Sequence, residues 1–191
     1  IAATFLPEDS ELYAKLVKVA THPEIGTASF LSYLYQSPVF NGERLLERAE
    51  ADPGADDAHL LLRLLMLNGL NQYYYARVPE EELRSIVRHR LAASLELYND
   101  LQGDVRQFVL ETALSAEGQP SEELLIQALR MGLGDSSKRS REIARAELIR
   151  RPDKDTYVKL YLAEKKASVR EGVIDLLRGV DGEGEAYGQS M

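Results

Sequence analysis

Apolar residues recur at three- and four-residue steps along nearly the whole chain, and period-two alternation rich in Val, Ile and Thr is almost absent. Such spacing marks amphipathic helices, in which positions three and four apart share a face. It predicts an all-α fold with helices near 8–21, 24–36, 42–51, 55–76, 80–100, 104–116, 121–132, 137–150, 154–164 and 168–178. Breakers fall at the joints: Pro23, Pro38, Pro53-Gly54, Pro79, Gly103, Gly118 with Pro120, Gly132 with Gly134, Pro152 and Gly179. Proline lacks the backbone donor a helix interior needs, and glycine accepts the left-handed cap conformation. Ser121 before Glu122-Glu123, and Asp153 before Tyr157, Leu160 and Tyr161, are positioned as N-caps. Joints this short make successive helices antiparallel neighbours, so residues 1–180 are expected to form a single all-α domain. Residues 181–191, with Gly182, Gly184 and Gly188 among Asp181, Glu183 and Glu185, read as a flexible acidic tail.

Three of the predicted helices share a register. Segments opening at Asp104-Val105-Arg106, Arg139-Ser140-Arg141 and Ser168-Val169-Arg170 align on their arginines. Three positions on stand Val109, Ala144 and Val173; seven on stand Ala113, Leu148 and Leu177. Each segment follows another amphipathic stretch, so the unit is a helical hairpin, repeated over residues 80–178. In this the chain resembles HEAT-type repeats, whose second helix opens with an Asp-x-x-Val-Arg-x-x-Ala-x-x-Ala-Leu-like pattern. The arginines are 35 and 29 residues apart, shorter than the roughly 40–47 of full HEAT or armadillo repeats, and Ser140 and Glu147 depart from the pattern. Residues 42–69, where Arg48-Ala49-Glu50-Ala51-Asp52-Pro53 runs into Ala58 and Leu60, resemble a joint between two tetratricopeptide repeats. Both resemblances imply an α-solenoid of stacked antiparallel hairpins; an irregular α-helical bundle is the alternative.

Composition narrows the chemistry. Absence of Cys among the 191 residues removes disulfides, zinc-thiolate sites and a cysteine nucleophile. His22, His59 and His89 stand apart in sequence, with no His-Glu-x-x-His motif, so no metal and no cofactor is expected. Asp56, His59 and Arg63 read as a solvated helix face, and His89 between Arg88 and Arg90 as surface. No Gly-x-Ser-x-Gly elbow, phosphate loop or dinucleotide fingerprint occurs. No catalytic residue is named on these grounds, and an enzyme would need a site assembled only in three dimensions. Nothing reads as a signal peptide, and the longest apolar run, Leu60 to Leu70, is broken by Arg63 and Asn68, well short of the roughly 20 residues that span a bilayer. A soluble chain is expected, cytoplasmic or exported after removal of an unseen signal.

Two features suit binding. From Lys138 to Lys154 seven basic residues face three acidic ones, although the whole chain has a net charge of −8. Lys138, Arg141 and Arg145 fall on one helical stripe, and Arg139, Arg141 and Arg145 are candidates for contact with an acidic partner. By resemblance to HEAT-like DNA-repair glycosylases, the same helix is a candidate for holding a phosphate backbone; acidity overall and the absence of Trp argue against it. The second feature is Tyr73-Tyr74-Tyr75, three adjacent side chains that cannot all face one core and are candidate anchors; with Tyr33, Tyr35 and Tyr98 they line a groove or, for most of them, are buried between helices of the repeat. The leading expectation is a noncatalytic scaffold presenting a helical-repeat surface to a protein or peptide. Nucleic-acid binding and an unrecognised enzyme are the alternatives.

Overall fold

The computed structural model describes residues 10–22, 28–37, 40–69, 77–115 and 120–188. Its helices are α1 (Ser10–Ala20), α2 (Ala28–Leu34), α3 (Gly42–Glu50), α4 (Asp57–Gly69), α5 (Glu80–His89), α6 (Leu91–Glu96), α7 (Gly103–Ala113), α8 (Glu122–Leu133), α9 (Lys138–Arg150), α10 (Lys154–Leu162) and α11 (Ala167–Gly188), with a 3-10 turn at Tyr98–Asp100. No strand occurs among the described residues, so the fold is all-α, as the periodicity predicts. None of the described helices is long and apolar enough to cross a membrane. The chain divides into two compact units, residues 1–105 and 106–191.

In the first unit α1 lies against α3, α2 against α4, and α3 against both α4 and α5. Leu45, Leu46 and Ala49 of α3 and Leu60, Leu64 and Leu65 of α4 are buried at helical spacing, the apolar stripes the sequence shows. The start of α3 is fixed from two sides. Asn41 caps it by accepting from the Arg44 amide at 2.9 Å. Glu82, from α5, accepts from the Gly42 amide at 2.6 Å and from the Tyr35 hydroxyl at 2.8 Å, setting a carboxylate at the positive end of the α3 dipole. Asp56 caps α4, accepting from the His59 amide at 2.9 Å. Arg63 does not share a solvated face with them. It is half-buried, and its Nη1 donates to the carbonyls of Ala20 at 2.8 Å and His22 at 3.3 Å, groups left open where α1 ends.

One predicted helix, 80–100, is three elements. The break comes at Arg90, whose φ of −124° and ψ of 37° leave the helical region although no glycine or proline is near. Its guanidinium is bound to Glu50 of α3 and lies 3.9 Å from Glu43. A partner on another helix, absent from the local sequence, sets the bend.

In the second unit α8 packs on α9 and α10 on α11; α11 then seats on α8 and α9, and α10 on α9. Leu129, Leu133, Ala144, Leu148, Tyr161 and Val173 form the heart of a continuous core. Tyr161 is fully buried, and its hydroxyl donates to the Ile126 carbonyl at 3.0 Å, so the phenol brings a satisfied polar group into the apolar interior. The approach of α11 to α8 depends on Gly172, where a Cβ atom would come within 2.4 Å of the Leu133 carbonyl oxygen. The backbone of α11 stays helical to Gly188, past the predicted end at 178 and through part of the segment read as a tail. No proline follows Pro152 to stop it.

Candidate functional site

Two of the three aligned arginines share a structural role. Arg141 Nη1 donates to the carbonyls of Asp135 and Ser136 at 2.7 and 2.9 Å. Arg170 Nη1 does the same with Glu164 and Lys165, the second at 2.7 Å. In both cases a guanidinium on the first turns of a helix ties down the carbonyls six and five residues earlier, in the loop that closes the hairpin. Arg106 extends the scheme to a side chain: its Nε donates to Asp135 Oδ2 at 2.9 Å, while Asp135 Oδ1 accepts from the Ser137 amide at 2.7 Å. An acidic residue stands six positions before each arginine, Asp100, Asp135 and Glu164. The clamps of Arg141 and Arg170 use the backbone carbonyls at that position and Arg106 reaches forward to Asp135, so the spacing does not by itself signal the contact.

The basic run of α9 therefore divides by function. Arg145 is engaged internally, its Nε donating to the Gly172 carbonyl at 3.1 Å and its Nη2 to Asp175 at 2.9 Å. Arg151 lies over the Tyr157 ring, 5.0 Å from its centroid, and bonds Asp153. Lys138, Arg139 and Arg150 point outward, with side chains 84, 64 and 78% exposed. The stripe Lys138, Arg141, Arg145 is thus not a continuous row of outward cations. Of the three candidate arginines, Arg139 faces solvent while Arg141 and Arg145 hold hairpins together. Tyr73, Tyr74 and Tyr75 lie outside the described residues. Of the other tyrosines, Tyr33 is exposed, Tyr35 half-buried on Glu82, and Tyr98 buried.

Two clefts flank the end of α7. One, of about 420 Å³, has Leu114, Ile143 and Ala146 along its floor and Arg139, Arg150 and Glu111 among its polar lining. The other, of about 410 Å³, is lined by Leu114, Leu125 and Pro120 together with Glu122, Glu147 and Arg151. In the first, each cation has a carboxylate 3.9 Å away, Arg139 with Glu142 and Arg150 with Glu147. The surface is amphipathic and of mixed sign.

One constellation with catalytic residue types assembles in the first unit. Ser85, His89 and Glu43 meet, with His89 Nδ1 2.6 Å from Glu43 Oε1 and 3.4 Å from Ser85 Oγ. The Ser85 hydroxyl donates to the Glu43 carboxylate at 3.1 Å. A nucleophilic triad needs the acid on one ring nitrogen and the serine on the other, so that imidazole relays the proton. Here both meet the same nitrogen and the serine proton is already given to the acid, an arrangement that ties α3 to α5. Among the described residues no group of three or more His, Asp or Glu side chains is placed to hold a metal ion. No protein-family model matches the chain, and neither a curated protein nor a solved structure matches it at the significance required of a relative.

Proposed function

We propose that this chain is a noncatalytic protein-interaction module whose second unit is a short HEAT-like stack of helical hairpins, with the α7–α9 cleft as its peptide-binding groove. The observation that carries the reading is the clamp repeated by Arg141 and Arg170: two successive hairpins close in the same way, as stacked repeats do. Repeat stacks bind along the surface their helices share, and the cleft beside α9 combines an apolar floor with outward Arg139 and Arg150. A segment that sets an apolar side chain on Ile143 and Leu114 and an acidic one beside Arg139 or Arg150 fits it.

The test is a peptide array varying the order of acidic and apolar residues, probed with the full chain, followed by fluorescence anisotropy on the best sequence. Arg139→Glu with Arg150→Glu is expected to weaken binding about tenfold or more, since charge reversal at a contact sets like signs together. The melting temperature should not move, because both side chains are exposed. Array binding that ignores these substitutions removes the groove assignment. Binding of duplex DNA at roughly 0.15 M salt that the substitutions abolish replaces the reading with a nucleic-acid one.

A further inference from the structure

We propose that the outer face of the α10–α11 hairpin, built on Leu162, Ile174 and Leu177, docks an acidic amphipathic helix of another protein that carries glycine or alanine at its point of closest approach. This rests on the repeat reading above and names a surface and a partner chemistry that the groove does not.

The clamps fix a common register for successive hairpins. Arg141 and Arg170 perform the same contact 29 residues apart. The same shift pairs Leu133 with Leu162, Arg145 with Ile174 and Leu148 with Leu177. The first member of each pair is covered by the following hairpin. Leu133 and Leu148 are fully buried, and Arg145 reaches the Gly172 carbonyl on α11. The second members are all apolar and lack the cover: Leu162, Ile174 and Leu177 are 38, 38 and 42% exposed. One step earlier in the stack the rule also holds, because Leu110, four positions after Arg106, is buried where a Cβ on Gly132 of α8 would stand 3.2 Å from it. The interface that seats α11 on α8 and α9 therefore continues, one repeat on, as an exposed face in the same register, with Ile174 in place of Arg145.

The same register defines the occupant. It is a helix, because helices cover this position in both earlier instances. It is small at the centre, because the covering residues there are Gly132 and Gly172, whose added Cβ atoms would stand 3.2 Å from Leu110 and 2.4 Å from the Leu133 carbonyl. Ile174 replaces the guanidinium of Arg145, so the opposing stripe is apolar. Lys159, Lys165 and Lys166, all exposed within four residues of Leu162, call for acidic residues at the end of the partner that meets Leu162. A second folded copy of this chain cannot offer Gly132 or Gly172, since both are buried in its own unit.

The probe is a stapled, fluorescein-labelled helical peptide of about five turns, with a Leu/Ile stripe, glycine at its centre and glutamates at the end that meets Leu162. Saturable binding to the full chain is expected by anisotropy. Ile174→Asp with Leu177→Asp should weaken it at least about tenfold, as should Leu162→Glu and a probe whose central glycine is leucine. Circular dichroism melts of the variants should match the parent, because all three positions are exposed. Equal binding by parent and variants, or indifference to the central glycine, overturns the proposal. Self-association in sedimentation that the same substitutions disperse also overturns it, by assigning the face to a second copy. If this probe fails while peptides still bind at Arg139 and Arg150, the groove reading stands alone.

Discussion

Ser140 sits on the buried stripe of α9 with its hydroxyl sealed from solvent and without a hydrogen-bond partner. The equivalent positions in the other two registers are the buried Val105 and Val169. An unpartnered buried hydroxyl costs about 1–3 kcal/mol, so Ser140→Ala should leave stability unchanged or raise it by about 1 kcal/mol in urea unfolding, against the usual sign for a core substitution. Tyrosine gives the opposite lesson. Burial holds the Tyr161 phenol above its ordinary pKa, and burial followed by the nearby Glu82 does the same for Tyr35. The neutral phenol is favoured in the fold, so this contribution is complete below about pH 10 and is lost as pH rises beyond it. Tyrosinate absorbance should therefore lag behind that of free tyrosine until the chain unfolds. Tyr161→Phe should cost about 0.5–1.5 kcal/mol at neutral pH and flatten the alkaline loss of stability; an unchanged alkaline profile would contradict the assignment.

At the scale of the element, the clamps of Arg141 and Arg170 close their hairpins through loop backbone rather than loop side chains. Each guanidinium replaces a loop's missing internal bonds, and Arg141→Ala is expected to cost about 1–2 kcal/mol. Arg141→Lys should restore little of it, since an ammonium does not reproduce the planar fork. Urea unfolding reads both. Gly172→Ala tests the α8–α11 contact: helix propensity favours alanine by about 1 kcal/mol, yet the contact with a backbone carbonyl forces the helices apart at about 1–3 kcal/mol. Stability should fall, whereas Gly54→Ala, where the nearest atom to an added Cβ is a side-chain oxygen at 3.4 Å, should be close to neutral. The helices themselves were legible in the sequence, because apolar period and proline placement are local. The Arg90 break was not, since its cause lies on α3. The arginine register was legible too, but not its purpose: a guanidinium's target is a carbonyl in a folded loop, and backbone atoms leave no letter in a sequence. The internal partners of Arg141 and Arg145 were hidden for the same reason, as both look like Arg139 until their loops and neighbouring helices are drawn.

Across the whole molecule, charge is uneven. Residues 1–105 hold 9 basic and 16 acidic side chains, residues 106–191 hold 14 and 15. The excess of acidic over basic side chains thus lies almost wholly in the first unit. Because several of the second unit's cations are committed to its own loops and carboxylates, duplex DNA of about 20 base pairs should not be retained at roughly 0.15 M salt, a point that a mobility-shift titration settles. The bond between Arg90 and Glu50 joins positions 40 residues apart. The course of the chain after α5 is thereby specified in part by a letter printed on α3. Anyone redesigning this unit to run α5 straight into α6 should edit position 50 first, and across evolutionary time positions 50 and 90 should be inherited as one trait.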